Sequence, residues 1–297
     1  MVTRRTALKI LIALGATASL GTEALAAKPA LTWMAFPADA SGFNRAPVLL
    51  TAGDEAILID GGFTLSDGRA LAAAIKATGK RLTTILVTQK DPDYYFSLGP
   101  VKAAFPAARV VSTAEIVAGI NGNVSKKLAV WGPQLKENGP QTLADVVIPE
   151  ATDTRSFTLG GHRIELISEP GHPHSTYVWV PSLKAAFGGV LVVADHHVWM
   201  ADSPTPADRK AWVKSLDALA ARKPKIVVAG HLLPSSKTDA SAIAFTRAYL
   251  LAYEHEAAKA ADGKALSAAM KARYPGLASE GSLELGAKVV KGEMTWG

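Results

Sequence analysis

The chain has 297 residues, 48% of them hydrophobic and 20% charged, enough to bury a core in one large domain or two small ones. Its 25 glycines and 17 prolines are ordinary, which excludes collagen-like and low-complexity classes, and the lack of cysteine excludes disulfide scaffolds, thiolate-bound zinc and thiol catalysis. The formal charge of +6 looks basic, but it shows no basic stripe with interleaved aromatics, so nucleic acid is not an expected partner.

Residues Thr3 to Lys9 carry Arg4, Arg5 and Lys9, and precede the apolar run Ile10–Leu20 and an Ala24-Leu25-Ala26 site. A basic start, a short apolar stretch and a small-residue site predict an export signal over 1–26. The apolar run falls short of the ~20 residues a membrane-spanning helix needs, so no stable membrane anchor is expected after cleavage. Arg4-Arg5 followed by Leu8 and Lys9 resembles a twin-arginine signal, with Ala7 where that motif prefers Phe. A plain secretory signal is the alternative. Either way the expected location is periplasmic or secreted, and loss of the signal leaves the mature chain at about +4.

Through residues 27–297, taken as one domain, short apolar runs alternate with Ala-rich helical stretches. Ala56–Asp60 reads as a buried strand ending at Gly61-Gly62, and a helix through Ala70–Lys76 closes at Gly79. Thr84–Thr88 and Arg109–Ser112 are strands flanking the helical Val101–Phe105. Ala114–Glu150, punctuated by Gly, Pro and Asn, reads as an insertion between halves. Strands follow at Arg163–Ile167, Tyr177–Val180, Ala186–Val193 and Lys225–Ala229, with a helix over Ala207–Ala221. The region from 238 to the end is helix-rich and forms a C-terminal extension. Interleaved strands and helices predict an α/β fold with helices covering the sheets.

Polar residues gather just after the strands, where an α/β sheet presents side chains to ligands. The clusters are Gln89-Lys90-Asp91-Pro92-Asp93-Tyr94-Tyr95, Glu169-Pro170-Gly171-His172-Pro173-His174, Asp195-His196-His197-Val198-Trp199 and Gly230-His231. Each has a plain structural reading. Asp91-Pro92-Asp93 suits a helix start, with Asp as N-cap and Pro at the first position. A single histidine in a turn is more often structural than a ligand. Their joint placement at strand ends, with acids, points to a site. Asp91 and Asp93 confined together would repel, so one stays protonated unless a cation lies near. Lys90 or Lys102 would supply that charge in a metal-free site.

In order and spacing over about Ala35 to Pro234, these motifs resemble the metallo-β-lactamase superfamily. Leu58-Ile59-Asp60-Gly61-Gly62 resembles its strand with an Asp-Thr-Gly-type turn, and Val87–Tyr94 falls at its His-x-His-x-Asp-His signature. Pro170-Gly171-His172 resembles its second histidine segment, Phe187–Leu191 its Phe-Thr-Gly-Asp-Leu strand, and Val228–His231 its final Gly-His. The implied fold is a four-layer αββα sandwich with the site along one edge of the two sheets. In the signature, Gln89, Asp91 and Tyr94 stand where histidines are expected, Asp93 keeps the acid, and Val190 replaces the acid that bridges two metals. His172 and His231 are retained.

The resemblance therefore implies an exported hydrolase with one divalent transition metal, zinc first and manganese or iron as alternatives. Asp91, Asp93, His172 and His231 would hold the ion with Gln89 as a further donor. Loss of the bridging acid at Val190 disfavours a two-metal centre. Asp93 would orient or deprotonate water, and Tyr94, His197 or His174 would stabilise an oxyanion. Tyr95, Trp131 and Trp199 would shape an apolar pocket for an ester, lactone or related small acyl substrate. The alternative is a pseudoenzyme that keeps the fold and binds a small ligand without metal.

Overall fold

The structure is a computed structural model describing residues 28–169 and 172–296, without the side chains of residues 169–174. The expected export segment, 1–26, lies outside the described residues. Among those described, no helix is long and apolar enough to cross a membrane.

The first sheet is built from β1 (Leu31–Ala35), β2 (Val48–Ala52), β3 (Glu55–Ile59), β4 (Arg81–Leu86), β5 (Arg109–Ser112) and β6 (Glu150–Ala151), in that spatial order. The second contains β7 (Ser156–Leu159), β8 (His162–Glu169), β9 (His172–Val180), β10 (Ala185–Phe187) and β11 (Ile226–Val228), in the order β11-β10-β9-β8-β7. Helices α1 (Leu65–Ala77), α2 (Leu98–Ala104) and α3 (Ala114–Leu135) precede the second sheet. Then come α4 (Pro206–Ala221), α5 (Ser241–Lys259), α6 (Gly263–Arg273) and α7 (Glu280–Val290).

Strand alternation sets the layers. Val48, Leu50, Ile57 and Ile59 enter a core shared with Leu166, Val178 and Phe187 of the second sheet, and with Trp212 and Leu216 of α4. Their neighbours Leu49, Ala56 and Leu58 face the other way, against Leu71, Ile75, Val101, Ile116 and Ile120 of α1, α2 and α3. The result is the expected αββα sandwich. Both faces of the first sheet are covered, which is why its strands read as nearly continuous apolar runs.

Several boundaries differ from the sequence reading. Ala114–Leu135 is not part of an insertion but a 22-residue helix capped by the Thr113 hydroxyl. It buries Ile116, Ile120, Val124 and Leu128 at four-residue spacing against the first sheet. β10 stops at Phe187 because Gly188 and Gly189 turn into the left-handed region, at φ 72 and 68. His172 and His174 begin β9 rather than lying in a loop. In the C-terminal extension, α5 packs on α4 and buries Ile243, Tyr249, Leu250 and Tyr253 in the same apolar cluster as Trp212 and Leu216 of α4. It therefore completes the fourth layer.

Candidate functional site

The ends of β3, β4, β10 and β11 meet at one edge. Asp60 follows β3 in a left-handed conformation, φ 62, which turns its buried carboxylate across the sheet end. It accepts from the Thr88 amide at 2.7 Å and from the Thr88 hydroxyl at 2.8–2.9 Å. That hydroxyl in turn accepts from the Gly189 amide at 2.9 Å, and the Thr88 carbonyl accepts from the Thr176 amide at 2.8 Å. Thr88 thus joins the two sheets. Burial raises the Asp60 pKa to about 6, against the opposing pull of Arg45 and the Thr88 bonds.

Arg45 lies at the centre of this edge, delivered by a tight loop in which Phe43 and Asn44 are both left-handed (φ 57 and 55). The side chain is fully buried. Nη2 is 3.2 Å from Asp60 Oδ2, Nε donates to the Asp93 carbonyl at 3.2 Å and lies 3.8 Å from Asp93 Oδ2, and Nη1 donates to the Gly230 carbonyl. The guanidinium carbon sits 3.5 Å from the centre of the Tyr94 ring, a cation–π contact in a desolvated setting. Gly230 leaves room for it: a Cβ there would come within 2.6 Å of Nη1 and 2.8 Å of the Tyr94 hydroxyl.

Of the anticipated residues, Asp93 and His231 come together, with Oδ2 3.4 Å from Nε2. His231 Nδ1 is 2.7 Å from the Phe43 carbonyl, which can only accept, so this nitrogen carries the proton. In the neutral ring the Nε2 lone pair then faces Asp93. Burial pulls His231 down to about 4, so it is neutral at pH 7. Tyr94 adjoins both, but its hydroxyl donates to the Gly189 carbonyl at 3.0 Å, and burial raises its pKa well above the usual value.

Of the other anticipated residues whose side chains are described, none makes a contact with this pair like that of Asp93 with His231. Gln89 is buried and spends its Oε1 on the Lys90 amide at 2.5 Å. Asp91 occupies the N-cap position before Pro92 yet makes no capping bond; its Oδ1 lies 3.9 Å from Lys127 Nζ. Burial, with the charges of Asp202 and Asp93, raises Asp91 to about 7, opposed by Lys127 and Lys90. Lys102, expected as a counter-charge, instead donates to the carbonyls of Pro106 and Ala108. His197 is drawn away to the Tyr249 hydroxyl of α5, with Nδ1 at 2.9 Å, so it does not join the cluster. The side chains of His172 and His174 lie outside the described residues.

Aromatic residues rim the edge. Trp131 packs on Phe43 and Phe63 at 5.6 and 5.2 Å, Trp199 stands edge-on to Trp296 at 5.0 Å, and Lys127 lies 4.8 Å from the Trp296 ring centre. Tyr95 is buried in the core between the first sheet and its helices, so it does not line an open pocket.

The donors described do not fit the expected ion. Only Asp93 and His231 converge, whereas a catalytic zinc takes three protein ligands. Tyr94 is hydrogen-bonded away, Gln89 is bonded to its neighbour, Val190 offers no donor, and a guanidinium already contacts Asp93. No group of three or more His, Asp or Glu able to hold a metal occurs among the described residues. The five-residue set Gln89, Asp91, Asp93, His172 and His231 therefore does not assemble from the side chains described. Sequence reasoning misses Arg45, Asp60 and Lys127 as site residues. Asp60 alone has a signal, as the acid of the strand-end turn.

A four-layer sandwich with polar strand ends at one edge is the architecture of metal-dependent hydrolases and their relatives. The sequence profile of the metallo-beta-lactamase superfamily matches residues 42–231, and the chain belongs to that superfamily. A metallo-beta-lactamase family protein from Thermus thermophilus shares the fold with a TM-score of 0.60 at 18% identity, covering 89% of this chain and 93% of that one. The BLEG-1 B3 metallo-beta-lactamase aligns with a TM-score of 0.52 at 20% identity, over 69% and 94% of the two chains. A metallo-beta-lactamase from Pontibacter korlensis aligns with a TM-score of 0.47 at 21% identity, over 70% and 87%. At these identities the likeness is one of fold. No curated protein matches the chain in sequence.

Proposed function

We propose that this chain is an exported, metal-independent member of the superfamily that binds a small organic molecule at the sheet edge. One observation carries this reading: three of the described side chains at ligand positions of the signature are directed into the protein's own hydrogen bonds and ion pairs. Tyr94 donates to Gly189, Gln89 accepts from Lys90, and Asp93 contacts Arg45. Membership of a superfamily composed mostly of metal-dependent hydrolases supports the hydrolase-type scaffold, and the rim of Trp131, Trp199 and Trp296 supports an organic ligand. Metal analysis of protein purified without an affinity tag tests it. The expected result is well under one transition metal per chain and a Tm unchanged by chelator; stoichiometric metal refutes it.

Single-metal hydrolysis of an ester, lactone or related acyl compound falls to second place, and the surroundings of Asp91 keep it there. That carboxylate shares its buried position with the charges of Asp202 and Asp93, and its nearest described cation is Lys127 at 3.9 Å. An ion held at Asp91 with His172 would supply activation of water. About one zinc, manganese or iron per chain, lost in His172→Ala together with ester or lactone hydrolysis, selects this reading over the first. Export rests on residues 1–26, and Arg4→Lys with Arg5→Lys should strand the precursor in the cytoplasm.

A further inference from the structure

We infer that Arg45 is the resident cation of this edge: a tethered guanidinium that does the charge-balancing work of an ion and makes the cluster independent of one. The inference deepens the metal-independent reading and rests on it. Three independent stretches converge on the side chain. Asp60 supplies a carboxylate at the end of β3, Asp93 a carbonyl and a carboxylate after β4, and Gly230 a carbonyl at the end of β11. Tyr94 adds the face of its ring at 3.5 Å. Two of these residues, Asp93 and Tyr94, stand at signature positions where the superfamily resemblance places ligands, and His231 faces the same Asp93 carboxylate at 3.4 Å.

The partners match the shape of a guanidinium rather than a generic positive charge. Its planar fork sends separate N–H groups to three acceptors while its flat face lies on an aromatic ring. A lysine ammonium is a single point charge without such a face. Full burial matters too, because a buried carboxylate left without its cation is strongly disfavoured. Arg45 touches no solvent, so it acts through the residues it holds: it is a positioning residue, fixing Asp93 and the strand ends at this edge.

Chemical rescue tests the inference with a readout that needs no substrate. Arg45→Ala should lower Tm by roughly 10 °C, as expected for breaking a buried ion pair in a domain of this size. Guanidinium chloride at about 5 mM, far below denaturing concentrations, should restore several degrees to the variant and none to the parent. Methylammonium, with the charge but not the fork, should restore less. An unchanged Tm in Arg45→Ala, or a loss that guanidinium does not reverse, overturns the inference. If Arg45→Ala is insoluble, Arg45→Lys decides: a Tm roughly 5 °C or more below the parent supports the guanidinium-specific role, and a Tm equal to the parent's overturns it. A parent protein that loses Tm in chelator would sink the metal-independent reading alone, since an ion beside Asp91 leaves the Arg45 result intact.

Discussion

Thr88→Val removes one oxygen and keeps the side-chain shape, so its effects come from two hydrogen bonds. The hydroxyl donates to the Asp60 carboxylate at 2.8–2.9 Å and accepts from the Gly189 amide at 2.9 Å. Losing the bond to an ionised carboxylate costs about 1.5–3 kcal/mol, and orphaning a buried N–H costs about 1–3 kcal/mol, so the variant should lose roughly 3–5 kcal/mol at pH 8. The penalty should depend on pH. Asp60 has a folded pKa raised to about 6 from 3.8, so the folded protein holds more protons than the unfolded chain between those values, and its contribution to stability falls as pH rises through that window. The Thr88 bonds lower that pKa, and their loss pushes it further up. The variant's penalty should therefore be smaller at pH 4.5, by about 1–2 kcal/mol, because a protonated Asp60 no longer needs the charge-assisted bond. Urea unfolding of both proteins at the two pH values measures the difference, and titrations common to both cancel. A penalty below about 1 kcal/mol, or one independent of pH, would refute the role given to this bond.

Three further outcomes follow from the same edge. Gly230→Ala places a Cβ 2.2 Å from the Gly189 carbonyl and 2.6 Å from Arg45 Nη1, so it should lower stability by roughly 2–4 kcal/mol in denaturant unfolding, and a neutral effect would contradict the packing around Arg45. Asp91→Asn removes an acid whose folded pKa is raised from 3.8 to about 7, a value that already contains the pull of Lys127; the parent loses stability as pH rises through that window, so the variant should gain on the parent between pH 4 and pH 8, by roughly 3–4 kcal/mol. A constant difference across that range would show that Asp91 is not held in the surroundings described. Lys127→Met should move the Asp91 titration further above about 7, read directly from carboxyl carbon shifts by NMR, because Lys127 is the largest opposing influence on it.

The layers of this fold are legible in the sequence because they rest on periodicity, which is local. Ala56–Asp60 and Thr84–Thr88 announce buried strands by their own composition, and Ala207–Ala221 a helix by its own pattern. α3 is hidden, although Ile116, Ile120, Val124 and Leu128 fall on one helical face. Gly119, Gly122, Asn121 and Asn123 interrupt its pattern, and packing against the first sheet overrides their poor helix propensity. β1 and β2 are hidden as well, their short runs separated by the loop that carries Arg45.

The site divides along the same line. The acids and histidines after the strands stand out because the chain places them at fixed offsets from strand ends, and Asp93 and His231 do meet. Their charge partner does not. Arg45 lies 48 residues from Asp93 and 185 from Gly230, in a loop with no motif, and nothing in its neighbours' identities marks it as buried. Aligning the signature shows which donors have changed, and from that alone Asp91 and Asp93 need some cation, whether a metal ion or a side chain. Lys90 and Lys102 are the natural candidates by proximity in sequence, yet Lys102 is committed to backbone carbonyls, while Lys127 arrives from α3 and Arg45 from the loop between β1 and β2. Because a buried carboxylate is stable only with its counter-charge, Asp60 and Asp93 depend on the guanidinium that lies between them. An edge without Arg45 would hold Asp60 and Asp93 uncompensated, and a histidine placed at Tyr94 while Arg45 stays would take away the ring face on which the guanidinium lies.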